Sequence, residues 1–196
     1  MKRLTNNKKY QSLYNATAIL RVLGVLYKFP DKEFSLTELA KLANVAKPNL
    51  GKILGELHAV DYIELVKLNI IWRIKANQRS WYFIRDKIVY NLSIIYQSGI
   101  VEFLANYFGN PKIIVIFGSF RKGEDISNSD IDIAIETDRM NEDKYLLDRC
   151  KELKGYESLF DRKIQIHLFD RKNVDINLFN NIANGIVLFG FLEVNK

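Results

Sequence analysis

Apolar positions follow helical spacing over most of the front of the chain and strand spacing over much of the back. Residues 14–27 carry Ile19, Leu20, Val22, Leu23, Val25 and Leu26 among few polar positions, which predicts a buried helix ended by Pro30. Ser35, Leu36, Thr37 and Glu38 fit a capping box, in which the serine side chain satisfies amides of the first turn and the glutamate complements it. A short helix to about Leu42 follows, with Leu36, Leu39, Ala40 and Leu42 apolar. Pro48 suits the first turn of a third helix, where its missing N–H costs nothing. That helix runs to about Ala59, with Leu50, Ile53, Leu54 and Leu57 inward. The runs 62–67 and 70–75 read as strands with Leu68-Asn69 between them, so a hairpin is expected. Helical spacing returns over 80–96, with Trp81, Ile84, Ile88, Val89, Leu92 and Ile95 on one side; it breaks at Gln97-Ser98-Gly99 and resumes over 100–108.

Past Asn110-Pro111 the pattern changes. Residues 112–117 form the unbroken apolar run of a buried strand, and 118–129 a polar loop with two glycines. Residues 131–136 predict a second strand, 141–154 a helix with Tyr145, Leu146, Leu147 and Cys150 apolar, and 163–169 a third strand. Residues 174–184 predict a helix and 185–190 a short terminal strand. The fold class is therefore α+β. Three helices and a hairpin describe a winged helix-turn-helix over residues 1–78, residues 79–109 a helical linker, and 110–196 an α/β domain with a small mixed sheet. Residues 1–9 read as a loose basic arm.

Composition narrows the chemistry. Apolar residues are 48% and charged residues 27%, ordinary for a globular chain. Cys150 is the only cysteine, so no disulfide forms within the chain, and with two histidines there is no material for a Cys/His zinc site. No stretch approaches ~20 apolar residues, so no membrane partner is expected. One thiol and no leader pattern predict a cytoplasmic setting. Residues 1–98 carry 16 Lys/Arg against 7 Asp/Glu, a balance of +9; residues 99–196 carry 13 against 16, a balance of −3. The front half suits a polyanion and the back half has another task.

The most informative stretch runs from Ile116 to Ile135. A Gly118-Ser119 pair ends one strand, and Asp130 and Asp132 open the next. Strand residues two apart point to one side, so the two carboxylates stand together while Ile131 and Ile133 point into the core. Two such charges repel unless something positive sits between them. A divalent cation does this, and Mg²⁺ favours one or two carboxylates plus substrate phosphates. Gly118 allows a sharp turn where a phosphate approaches the backbone, and the Ser119 hydroxyl can donate to it.

This arrangement resembles the minimal nucleotidyltransferase family of the DNA-polymerase-β-like superfamily, over about residues 110–196. The matching features are the apolar strand, Gly118-Ser119, the Lys122-Gly123-Glu124 piece of the loop, Asp130-x-Asp132 and the ending Gly185–Gly190. The resemblance implies transfer of a nucleotidyl group from an NTP. Asp130 and Asp132 would be the catalytic, metal-holding pair for Mg²⁺ or Mn²⁺. Gly118, Ser119 and Lys122 would bind the triphosphate, with Arg121 as a further cation. One position departs: the family's third carboxylate, central on the strand at 163–169, is matched by Gln165. A neutral amide binds Mg²⁺ weakly and is no general base. Asp161 and Asp170 lie at the strand ends, out of register; His167 shares the face of Gln165 and has two readings, a participant in the site or, the one favoured, a polar strand residue.

The front segment resembles winged helix-turn-helix domains of prokaryotic regulators over about residues 12–78. That resemblance implies that the second helix of the motif enters the DNA major groove. Lys47, Asn49 and Lys52 lie off its apolar stripe; Asn49 suits a base edge and the lysines suit phosphates. Lys67, Arg73 and Lys75 of the wing would add backbone contacts. Three functions remain open. They are nucleotidyl transfer joined to double-stranded DNA binding, a transcriptional regulator with an impaired nucleotide domain, and an antitoxin-like protein with a small helical partner. The helices at 80–108 could support a homodimer.

Overall fold

The computed structural model describes residues 17–69 and 71–193; the arm expected at 1–9 lies outside the described residues. The chain divides into two compact units, Met1–Tyr90 and Asn91–Lys196.

In the first unit, Thr17 accepts from the Leu20 amide and starts α1, Ala18–Lys28. A two-residue strand, β1 (Glu33–Phe34), is too short for periodicity to reveal. Ser35 accepts from the Glu38 amide, as a capping box requires, and opens α2, Leu36–Ala43. Pro48 lies in the first turn of α3, Lys47–Ala59. β2 (Ile63–Leu68) and β3 (Ile71–Ala76) pair antiparallel with Leu68 opposite Ile71. The turn therefore falls one residue later than the pattern predicts. Leu68 is the last paired residue, and Asn69 takes the left-handed bend at φ 50°, which asparagine tolerates far better than leucine. With β1 on β3, the sheet order is β1-β3-β2, completing a winged helix-turn-helix. Its core buries Val22, Leu26, Leu39, Leu50, Leu54, Ile74 and Phe83. Each such side chain contributes about 1.5–3 kcal/mol on leaving water.

Helix α4 (Trp81–Ser98) begins in the first unit and ends in the second. Its inner face differs from the expected one. Trp81 and Val89 are 71% and 64% exposed, while Phe83 and Asn91 are buried; Ile95 is buried as expected. Apolar residues surround most of this helix, so spacing alone cannot choose the face. Gly99 ends it at φ 77°, and α5 (Ile100–Tyr107) departs at 54°. Among the described residues no single helix is long and apolar enough to cross a membrane.

The second unit is built on four strands: β4 (Ile113–Phe117), β5 (Ile131–Glu136), β6 (Ile164–Phe169) and β7 (Ile186–Gly190). They lie in the order β6-β5-β4-β7, with β4 antiparallel to both neighbours and β5 parallel to β6. Alternate residues of β4 enter different cores. Ile114 and Ile116 join Ile131, Ile133, Leu104 and Phe120, while Ile113, Val115 and Phe117 join Ala134, Phe169 and Ile182. Both faces of this strand are covered, which is why it reads as an unbroken apolar run.

Two expectations need correction. The loop at 118–129 begins with a short helix, α6 (Gly118–Lys122), which the glycines masked and buried Phe120 anchors. The helix at 141–154 is two: α7 (Met140–Arg149) and α8 (Leu153–Phe160). The chain turns between them where Cys150 is drawn inside, and burial pushes its thiol pKa up. Tyr145, expected on the apolar face, is exposed. One further helix, α9 (Ile176–Ala183), is capped by Asp175.

Candidate functional site

The site lies where β4 ends and β5 and β6 begin. Gly118 leaves β4 at φ 72°, and a Cβ there would stand 2.3 Å from Asp132 Oδ2. Glycine is therefore required both by the backbone angle and by the carboxylate beside it. Ser119 follows, partly buried, and Lys122 is exposed at the end of α6. The Arg121 Nε is buried with no hydrogen-bond partner among the described residues. Ser129 steadies the loop before β5, its Oγ accepting from the Ile126 amide at 2.9 Å.

Asp130 and Asp132 are half-buried on one side of the chain, while Ile131 and Ile133 are fully buried on the other. Asp132 lies opposite Phe117 on β4 and opposite Gln165 on β6. The parallel register lets β6 meet both acids. Gln165 Nε2 donates to Asp130 Oδ2 at 2.5 Å, and His167 Nε2 donates to Asp132 Oδ1 at 3.1 Å. His167 also packs edge-on against Phe117, with ring centroids 5.0 Å apart. The histidine is thus a partner of the acid pair, beyond its reading as a polar strand residue.

This donor set fits one hard cation completed by water and phosphate oxygens. It does not fit a two-ion cluster: among the described residues no three His, Cys, Asp or Glu side chains converge on one point. Gln165, a neutral amide, lies opposite Asp132 on β6, and Asp170 brings no carboxylate to the pair. The Asp170 carboxylate turns to the Lys172 amide and to Asn173, and the Lys172 amide bond holds its pKa below the usual range. A polar groove of about 860 Å³ opens beside Asp130, with Ser127, Asn128, Ser129, Lys154, Ser158 and Lys163 in its walls.

In the first unit, Lys47, Asn49 and Lys52 are all exposed on α3. No side-chain ion pair of theirs occurs among the described residues. Arg73 stands apart from them. Its Nε and a terminal nitrogen donate to both oxygens of Glu33 at 2.7 and 2.8 Å, and that bond lowers the Glu33 pKa. Lys67 lies over the Trp72 ring at 4.2 Å, so the wing holds one lysine by cation–π attraction.

Pattern reading missed three residues. Asn91, Asp125 and Arg162 are buried together in the second unit, linked through Asp125. The available signal was Asn91 itself, a polar residue four positions before the buried Ile95 of the same helix.

No curated protein matches the chain. Among solved structures, the adhesin competence repressor of Streptococcus pyogenes is similar at 15% identity, covering 53% of this chain and 88% of its own, with a TM-score of 0.32. The archaeal chromatin protein TrmBL2 is similar at 14% identity, covering 89% of this chain and 79% of its own, with a TM-score of 0.26. The family model for Polymerase beta, Nucleotidyltransferase matches residues 98–191, a stretch that holds the Gly118–Ser119 bend, Asp130, Asp132 and the strand bearing Gln165 and His167.

Proposed function

We propose that the second unit seats a nucleoside triphosphate with one divalent cation, Mg²⁺ or Mn²⁺, and that the first unit binds double-stranded DNA. The observation that carries the first part is the contact of Asp132 with the Gly118 bend, which brings an acid to the point where the backbone opens for a phosphate. A cation bound by Asp130 and Asp132 would join them to phosphate oxygens and relieve their repulsion. Gly118 gives the phosphates access to the backbone, the Ser119 hydroxyl donates to them, and Lys122 supplies charge. Gln165 and His167 hold the acids in place.

Gln165 favours a second reading of the same site. An amide cannot take a proton from an acceptor hydroxyl, so nucleotide binding without efficient transfer is the form we favour. The protein then acts as a DNA-binding regulator that responds to nucleotide. Calorimetric titration with each of the four NTPs and Mg²⁺ tests the seat. Binding that disappears in Asp130→Ala and Asp132→Ala supports it, and no binding by the unaltered chain overturns it. Label passing from an α-labelled NTP to any acceptor would restore the transferase reading.

DNA binding rests on the +9 balance of residues 1–98 and on the exposed Lys47, Asn49 and Lys52. A gel shift over a range of salt tests it. A chain that ignores duplex DNA at low salt would remove this half of the proposal.

A further inference from the structure

We infer that Asn91, Asp125 and Arg162 form a buried clamp that positions the loop joining Gly118–Ser119 to Asp130–Asp132. The inference deepens the reading of that loop as the triphosphate seat and rests on it. Asn91 is 3% exposed, and its Nδ2 donates to the Phe120 carbonyl at 2.8 Å and to Asp125 Oδ1 at 2.8 Å. Asp125 is 1% exposed, and its other oxygen receives a terminal nitrogen of Arg162 at 3.2 Å.

These bonds reach each part of the site. Phe120 lies within α6, the helix that Gly118 and Ser119 open. Asp125 lies in the loop that leads to Asp130. Arg162 precedes Lys163, whose carbonyl accepts from the Ile131 amide at 2.9 Å, and so stands at the start of the strand that carries Gln165 and His167. One asparagine from α4 thereby fixes the glycine bend against the loop, and one arginine fixes the loop against β6.

The chemistry is costly for mere packing. An ionised pair out of water repays its desolvation only when its geometry is well satisfied, and apolar residues of similar volume often hold a fold as well. What the charged arrangement adds is direction: each donor fixes one oxygen. Asn91 also lies before the stretch 98–191 matched by the family model, so helix α4 contributes to the site from outside that stretch. All three are positioning residues, argued to act through Phe120 and the loop before Asp130; Arg162 also borders the groove beside Asp130.

The test uses the full chain and three variants: Asn91→Leu, which keeps the branched shape and removes both donations; Arg162→Lys, which keeps the charge and changes the donor; and Leu92→Ala. The last loosens core packing next door, since Leu92 packs against the second core and makes none of these bonds. Each is followed by amide hydrogen exchange, thermal unfolding and titration with Mg²⁺ and ATP. Asn91→Leu is expected to speed exchange over residues 118–130 about tenfold relative to the rest of its unit, and to weaken Mg²⁺–ATP binding about tenfold. Arg162→Lys should fall between it and the unaltered chain. Leu92→Ala should lower the unfolding temperature while leaving affinity and relative exchange at 118–130 within about twofold. Exchange that rises evenly across the unit in Asn91→Leu, or affinity lost equally in Leu92→Ala, overturns the clamp. Should Asn91→Leu fail to fold, Asn91→Ser takes its place with the same criteria. If the unaltered chain binds no nucleotide, the triphosphate reading falls, and the exchange measurements alone decide whether the clamp holds the loop.

Discussion

Both units bury a polar network, but they build it from different groups. In the first, the Tyr27 and Tyr62 hydroxyls bond at 2.5 Å, and Tyr62 donates to the half-buried Asp86 at 2.9 Å, while Lys87 of the same helix is fully buried. In the second, an ionised pair, Asp125 and Arg162, is buried with Asn91. Their surfaces differ more sharply. Lys47 and Lys52 stand in water on α3, whereas Asp130 and Asp132 are each held by a donor from β6. A field of exposed charge suits a long polyanion met in many registers, and a pair of held acids suits one small charged ligand in one place. The contrast therefore separates the two proposed tasks before any ligand is considered.

The sharpest way to break the contrast is at the acid pair. Gly118→Ala would force a non-glycine residue to φ 72° and drive a methyl group into the Asp132 carboxylate. Asp132→Ala removes the carboxylate itself. Both are expected to weaken Mg²⁺-dependent NTP binding about a hundredfold by titration, the loss of a charged contact at a half-buried site. Only Gly118→Ala should also lower the unfolding temperature, because left-handed backbone costs about 1–2 kcal/mol without glycine. Unchanged affinity in Asp132→Ala would put the ligand elsewhere.

The tyrosine network gives the next largest effect, and it is set by pH. Burial pushes the Tyr27 pKa from 10.0 to about 12, and burial likewise raises that of Tyr62. A folded-state pKa above the unfolded value means the folded chain holds its proton longer. The stabilisation is therefore complete below pH 10 and is lost as pH rises from 10 to about 12. For Tyr27 this rise corresponds to about 2–3 kcal/mol at most. Denaturant unfolding of the chain across this window should show that decline, and Tyr27→Phe should lessen it, leaving the part that Tyr62 contributes. A flat profile in the unaltered chain would mean that these hydroxyls ionise as they do in water.

A third experiment asks whether the second site can be turned back toward catalysis. Gln165→Glu exchanges a donor for an acid at the register position opposite Asp132. It also breaks the bond that holds Asp130. Cation affinity, read by Mn²⁺ binding without nucleotide, is expected to rise about tenfold, because a third carboxylate makes the site more negative and multidentate. Equal affinity would show that the glutamine is not what limits the ion.

Much of this was legible in the chain. The Ser35 cap, Pro48 in the first turn, β5 and the shared side of Asp130 and Asp132 follow from local rules that the tertiary structure leaves intact. What was not legible depends on partners distant in sequence. Nothing near Gln165 says that it will meet Asp130, since that bond needs the parallel register of β5 and β6. Nothing near Trp81 says that it faces outward, since α4 is apolar around most of its circumference. Arg73 reads as a free wing cation because Glu33, its partner, belongs to a two-residue strand that periodicity cannot reveal.

The smallest expected effect lies at that ion pair and the lysines of α3. If exposed charge drives duplex binding, each lysine that meets a phosphate adds about 0.9 to the slope of log affinity against log salt. Lys47→Ala and Lys52→Ala should each reduce the slope by about that amount and weaken binding a few-fold. Arg73 must first leave both Glu33 oxygens before it can meet a phosphate. Its removal also frees the Glu33 carboxylate, which then repels the duplex. Arg73→Ala alone should thus weaken binding through that freed acid, and Arg73→Ala combined with Glu33→Ala should restore nearly the original affinity with the original slope. Gel shifts at several salt concentrations separate the cases. A slope that falls in the double variant as far as in Lys52→Ala would mean that Arg73 abandons Glu33 for DNA, and that the wing's ion pair is a resting arrangement of the free protein.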